Sequence, residues 1–124
     1  MLFRSGTIHL LGRGSVCINS GGEKIFPEEV EEALKTHDAV RDAVVVGIPH
    51  PRFGEQIVAV VEPTEGTDVP AEADLIAHVK ERLASYKAPR RVRTVATIGR
   101  APNGKVDYKR HRAESMDELG VPAG

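Results

Sequence analysis

The sequence is poor in the features that staple or anchor small proteins. Cys17 is the only cysteine among 124 residues, so no intrachain disulfide can form and a cysteine-built zinc site is not indicated. A reducing, cytoplasmic setting is expected. Tryptophan is absent, and three phenylalanines and two tyrosines are the whole aromatic content. The longest apolar runs, around 43–48 and 57–61, are strand-length, whereas a membrane span needs about 20 residues. The amino terminus also has no signal-peptide apolar region. The five histidines, His9, His37, His50, His78 and His111, show no metal-ligand spacing, so no metal is assigned. His50 lies between two prolines with no nucleophile motif beside it, and a turn role is expected for it.

Charge is nearly balanced in total, 17 basic against 18 acidic residues, but not along the chain. Acidic residues crowd 23–32, and the last third carries Lys87, Arg90, Arg91, Arg93, Arg100, Lys105, Lys109, Arg110 and Arg112. That third should attract anions. An RNA-binding module would use the same charge, yet Tyr86 and Tyr108 are the only rings near it and no strand carries a stacking pair. Nucleic acid is therefore the weaker reading.

The length suits one compact domain. Thr7 to Leu11 and Val16 to Ile18, with Gly12 and Gly14 between them, read as a small hairpin. Asn19-Ser20-Gly21-Gly22 reads as a flexible polar loop. Pro27 opens a helix whose first turn is acidic and whose Val30, Ala33 and Leu34 share a face. Asp42 to Ile48 is a β-branched run typical of a strand buried on both sides, and Gln56 to Glu62 is its expected partner. Leu75, Ile76, Val79 and Leu83 recur at helical spacing, predicting a helix over 71–85. Pro89 ends it, and Arg91 to Ile98 reads as a third strand. The spacing predicts a last helix over 108–119 capped by Asp107, with a frayed tail after Gly120.

Two loops invite a chemical reading. Gly99-Arg100-Ala101-Pro102-Asn103-Gly104-Lys105-Val106 has P-loop spacing, but Val106 stands where a magnesium-binding hydroxyl belongs and Pro102 lacks an N–H to point at phosphate. By itself the loop is either an ordinary hairpin with an exposed lysine or a device that carries Lys105 toward an anion. Gly21-Gly22 is likewise either a plain connector or a place where something slender passes close to the backbone.

Their order is more informative. Gly12-Arg13, the double glycine, Ile25-Phe26-Pro27-Glu28-Glu29-Val30-Glu31, Gly47-Ile48-Pro49 with Gly54-Glu55, Tyr86-Lys87-Ala88-Pro89 and Pro102-Asn103-Gly104-Lys105 follow one another. In this series the chain resembles the carboxy-terminal domain of the adenylate-forming ligases, most closely the bacterial fatty acyl-CoA ligases, from about Gly6 to Lys109.

The resemblance implies an α+β domain: a three-stranded sheet flanked by helices, with a short two-stranded β-ribbon at its entry. Residues 1–14 would be the hinge-proximal segment and ribbon start, 15–119 the lid domain and 120–124 a flexible tail. It implies that a large adenylating domain, whose phosphate loop this sequence lacks, precedes the lid and that the lid alone is inactive. Lys105 would serve adenylation of a fatty or other carboxylic acid by ATP. After rotation about a hinge at Ser15, where the family has aspartate or lysine, Gly21 and Gly22 would line the pantetheine passage for CoA. Arg13 and Lys24 would contact the nucleotide, and the basic stretch 87–93 the CoA phosphates. Magnesium would accompany ATP without being bound by this domain. A stand-alone lid acting in trans is a further alternative.

Overall fold

A computed structural model of the chain describes residues 17–66 and 69–120. The elements in order are β1 (Ile18–Ser20), β2 (Glu23–Ile25), α1 (Pro27–Lys35), β3 (Val40–His50), β4 (Gly54–Pro63), α2 (Glu72–Lys80), a 3-10 turn (Ser85–Lys87), β5 (Arg91–Thr94) and α3 (Tyr108–Leu119). The expected hairpin over 7–18 lies almost wholly outside the described residues, as do Arg13 and Ser15.

The architecture is α+β, and its sheet is larger than expected. Five strands form one sheet in the order β2-β1-β4-β3, with β5 also on β4. β3 and β4 pair antiparallel along their whole length, from Val40↔Pro63 to His50↔Gly54. β5 runs parallel to β4 but occupies only Val58 to Val61. The rest of that edge of β4 is therefore open, and the ribbon β1–β2 joins it through Ser20↔Gly54 and a Gly21 N–H donated to the Phe53 carbonyl at 2.9 Å. The ribbon is an extension of the sheet, and Gly21-Gly22 is its two-residue turn rather than a flexible connector.

Two other elements are shorter than the sequence suggests. The second helix ends at Lys80; the Leu83 N–H still reaches back to the Val79 carbonyl, after which the chain tightens into the 3-10 turn. β5 stops at Thr94, opposite Val61 and two residues short of the end of β4: the Val95 N–H takes the Val61 carbonyl, and the Ile98 N–H is met by the Glu62 carboxylate instead.

Both faces of the sheet are covered. Ala43, Val45, Ala59 and Val61 meet Val30 and Leu34 of α1 and Leu75 and Val79 of α2. Val44, Val46, Val58 and Val60 meet Ile98, Val106 and Met116 from the other side, under α3. This explains why β3 reads as an unbroken apolar run. A register shift between Val40 and Asp42 breaks the two-residue alternation at its start. Val40 is thereby turned to the α1 side, while Asp42 keeps the ordinary alternation and shares the α3 side with Val44 and Val46.

β3 is an edge strand, and side chains seal its open edge. The Ala43 N–H donates to Asp42 Oδ1 (2.8 Å), the Val45 N–H to Glu31 Oε2 (2.9 Å), and Arg112 Nε donates to the Gly47 carbonyl (2.9 Å). An open edge would otherwise template pairing with another chain. This role accounts for a wholly buried glutamate: Glu31 is 0% exposed and also accepts from the Tyr108 hydroxyl at 2.8 Å. Burial pushes its carboxyl up to about 7, against the lowering pull of those two donors. Burial and the neighbouring Glu31 charge likewise push the Tyr108 phenol upward.

Candidate functional site

The two loops singled out by sequence lie at opposite ends of β3. The lysine loop is tied to Asp42, near the start of the strand, and the double-glycine turn is tied to Phe53, just past its end. His50 is eight residues beyond Asp42, which at about 3.3 Å per residue separates the two ends by ~26 Å.

The lysine loop is built from its own turn chemistry. Gly104 N–H donates to the Ala101 carbonyl (2.8 Å) and Ala101 N–H to the Lys105 carbonyl (2.9 Å), closing a β-turn with Pro102 and Asn103 at its centre and Gly104 at its exit. The Asn103 side-chain oxygen accepts from the Lys105 N–H at 3.1 Å, as asparagine commonly does in turns. Gly104 has φ +83° and nothing near its missing Cβ, so the residue is needed for its backbone angle. Ala101 to Lys105 are exposed, while Val106 is buried. The loop thus stands off the sheet and Lys105 projects from its tip.

Around it lies a shallow basin of about 650 Å³ whose lining includes Lys35, Arg41, Asp42, Arg100 and Lys105. Lys35 pairs with Glu32, Arg41 with Glu62 and Arg100 with Asp42. Among the described residues Lys105 has no carboxylate partner, which leaves its charge available to an incoming anion.

At the other end, Gly21 and Gly22 have φ +59° and +85°, the left-handed pair that suits a tight hairpin turn and that other residues adopt at a cost. Among the described residues, a Cβ on Gly22 would meet nothing within 4 Å, and one on Gly21 would make only ordinary contact with Phe53. The glycines serve the turn, and no described residue fills the space above Gly22. Gly21 borders a cleft of about 430 Å³ lined also by Ser20, Phe53, Ile76, Tyr86 and Arg90. Lys24, on exposed β2 opposite Asn19, does not line it.

The basic stretch at 87–93 divides on inspection. Lys87 is held by Glu29 at 2.7 Å and Arg91 by Glu72 at 3.2 Å. Arg93 is buried, donating to Ser115 and pairing with Glu118. Arg90 alone of the four lines the cleft, its guanidinium 4.7 Å from the centroid of the Phe53 ring, an arrangement that favours a cation over a π face. His50 stacks on the same Phe53 ring, with the two centroids 4.4 Å apart, and its Nδ1 accepts from the Arg52 and Phe53 N–H groups. That is the turn role expected for it. Tyr108, one of the two rings available to an RNA reading, is turned inward onto Glu31, which removes it from any stacking surface.

Sequence reasoning did not single out Phe53, Asp42, Arg100 or Glu31. Asp42 carried one signal, a lone acid at the mouth of an apolar run. The other three gain their meaning only from partners distant in the chain.

Comparison with known proteins fits this arrangement to a family. The description of the AMP-binding enzyme C-terminal domain matches residues 29–105, a span that holds Phe53, the cleft's far wall and the lysine loop. The chain belongs to that family. Among curated AMP-binding relatives, the medium/long-chain-fatty-acid–CoA/3-oxocholest-4-en-26-oate–CoA ligase of Mycolicibacterium smegmatis is 59% identical over 104 residues, covering 84% of this chain and 19% of that protein. The protein of the same description from Mycobacterium tuberculosis is 53% identical, covering 96% of this chain and 22% of its own length. Among solved structures, an acyl-CoA synthetase from Brucella canis superposes with a TM-score of 0.77 at 34% identity, over 84% of this chain and 20% of that one. The chain thus spans about a fifth of the length of the relatives it matches.

Proposed function

We propose that this chain is the mobile lid of an ATP-dependent fatty acyl-CoA ligase, catalytically silent by itself, and that it serves two half-reactions in two orientations. The observation that carries the reading is the separation of its two exposed loops by the length of β3. One rigid body cannot present both ends to the same reacting atoms, so serving both steps requires reorientation.

In the first orientation Lys105 enters the site of the large domain. A substrate carboxylate oxygen attacks the α-phosphorus of ATP, the bond to the β-phosphate oxygen breaks and pyrophosphate leaves. Negative charge crowds in that transition state, and the ammonium of Lys105 bridges the two anions. A preorganised donor of this kind is worth roughly 3 to 4 kcal/mol. In the second orientation, reached about a hinge at Ser15, the double-glycine turn faces the same site. The pantetheine arm passes Gly21 and Gly22, the CoA sulfur attacks the acyl carbonyl and AMP departs. The cleft beside Gly21, with Tyr86 48% exposed and Arg90 over Phe53, suits the nucleotide end of CoA: a ring to stack on and a cation for phosphate. Arg13 and Lys24 contact nucleotide phosphate. Magnesium arrives with ATP on the large domain, and the enzyme works in the cytoplasm. No described helix is long and apolar enough to cross a membrane.

The test joins the chain to the adenylating domain of the Mycolicibacterium smegmatis relative and changes Lys105→Ala. Pyrophosphate exchange should fall by two to three orders of magnitude, with CoA transfer from a supplied acyl-adenylate nearly unchanged. Equal loss of both steps refutes the division of labour, and turnover by the isolated chain with ATP, fatty acid and CoA refutes its silence.

A further inference from the structure

We propose that Arg100 is the positioning residue for Lys105, acting as a clamp that fixes the lysine loop to β3; this rests on the adenylation reading given above. The lysine loop leaves the fold at buried Ile98 and returns at buried Val106, and Arg100 is its half-buried member between exposed Gly99 and exposed Ala101 to Lys105. Its guanidinium makes three bonds in two directions. Nε donates to Asp42 Oδ2 at 2.6 Å and one terminal nitrogen to Asp42 Oδ1 at 2.9 Å, the two-pronged geometry that arginine alone offers a carboxylate. The other terminal nitrogen donates to the Gly104 carbonyl at 2.9 Å, the peptide directly before Lys105.

The turn at 101–104 sets the loop's internal shape through its own hydrogen bonds, but those bonds say nothing about where the loop points. Among the described residues the Arg100 clamp is the polar link that registers the tip against the sheet. Its other end is fixed with equal care. Alternation along β3 puts Asp42 on the face of Val44 and Val46, which pack with Ile98 and Val106 at the two ends of the loop, and Asp42 Oδ1 is held by the Ala43 N–H. The neighbouring cations do not compete, since Arg41 reaches Glu62 and Lys35 reaches Glu32. The guanidinium beside Asp42 outweighs its partial burial and holds that carboxyl below its ordinary value, so the clamp is charged on both sides at neutral pH. A reacting group displaced by about 1 Å commonly loses two orders of magnitude in rate, so even a small displacement of an unclamped loop tip would be felt in the rate.

The experiment uses the same joined ligase with Arg100→Ala, Arg100→Lys and Asp42→Asn beside Lys105→Ala. For Arg100→Ala, kcat of pyrophosphate exchange is expected to fall roughly ten- to hundredfold, with KM for ATP within about threefold and CoA transfer from supplied acyl-adenylate within about twofold. Arg100→Lys keeps the charge beside Asp42 but cannot span to Gly104 as well, so it should fall between. Asp42→Asn should follow Arg100→Ala. Exchange within twofold of the parent, while Lys105→Ala suppresses it, overturns the clamp and leaves the lysine reading standing. Parallel loss of both half-reactions in Arg100→Ala and Arg100→Lys also overturns it, since the pair then only holds the fold. If Lys105→Ala leaves exchange intact, the lysine reading fails and the clamp falls with it.

Discussion

Replacing Glu31 by glutamine should make this domain more stable above neutrality and change its response to pH. The glutamate is enclosed by α1, β3 and α3, and burial raises its carboxyl from 4.5 to about 7. A folded-state pKa above the unfolded value means that the folded protein holds the proton more tightly. Glu31 therefore contributes fully below pH 4.5, and that contribution is lost as pH rises through about 7. At 1.36 kcal/mol per pKa unit, the interval corresponds to roughly 3 kcal/mol of stability lost between pH 4.5 and 8. Glutamine keeps an acceptor for the Val45 N–H and places an amide against the Tyr108 hydroxyl, without an ionisable proton. Urea denaturation of both proteins from pH 4.5 to 8 isolates the effect. Asp42, lowered chiefly by its arginine partner against its burial, and His111, lowered by burial, have the opposite sign: each adds stability that is lost on acidification. Both groups are common to the two proteins, so their contributions cancel in the difference. The variant should gain on the parent by roughly 2 to 3 kcal/mol between pH 5 and pH 8. Parallel stability curves over that range would mean that Glu31 titrates as an ordinary carboxylate and that its burial has been misjudged.

Two further substitutions probe the frame that holds the loops. A Cβ on Gly47 would lie 2.9 and 3.0 Å from the two γ-carbons of Ile18, a residue only 1% exposed. Gly47→Ala should therefore cost about 1 to 3 kcal/mol by overpacking in chemical denaturation, and combined with Ile18→Ala, which removes both γ-carbons, it should cost less than the two single changes added together; an unchanged midpoint would contradict the close approach. Asp107 caps α3 by accepting the Arg110 N–H at 3.0 Å. Asp107→Ala should cost about 1 kcal/mol and speed amide exchange at Arg110 and His111, whereas unaltered exchange there would deny the cap.

Local chemistry made much of this fold legible. Pro27 followed by acidic residues begins α1, the β-branched run from Asp42 to Ile48 is a strand covered on both faces, and Asp107 caps a helix spanning Tyr108–Leu119. Each depends on residues within a turn or two of one another, where proline, capping side chains and apolar period act directly on the backbone. The limits of α2 and β5 were less legible: the helical spacing runs on through Leu83, whose N–H still reaches the Val79 carbonyl, and beyond Thr94 a side chain, Glu62, takes over from the strand ladder at Ile98. The β1–β2 turn was not legible because a glycine pair reads equally as connector or turn until Phe53 supplies the bond that chooses.

The sequence by itself determined the three helices, the long strands β3 and β4 and that Lys105 rides a tight turn, since those outcomes follow from short-range sterics and periodicity. Only the tertiary structure decided which charges have work to do. Glu31 read as one more acid at a helix start until Tyr108, 77 positions away, and the open edge of β3 enclosed it. Arg100 read as one of many cations until Asp42, 58 positions distant, gave its guanidinium a fixed direction. Charge carries no local periodicity, and its partner is set by which ends of the sheet the chain brings together.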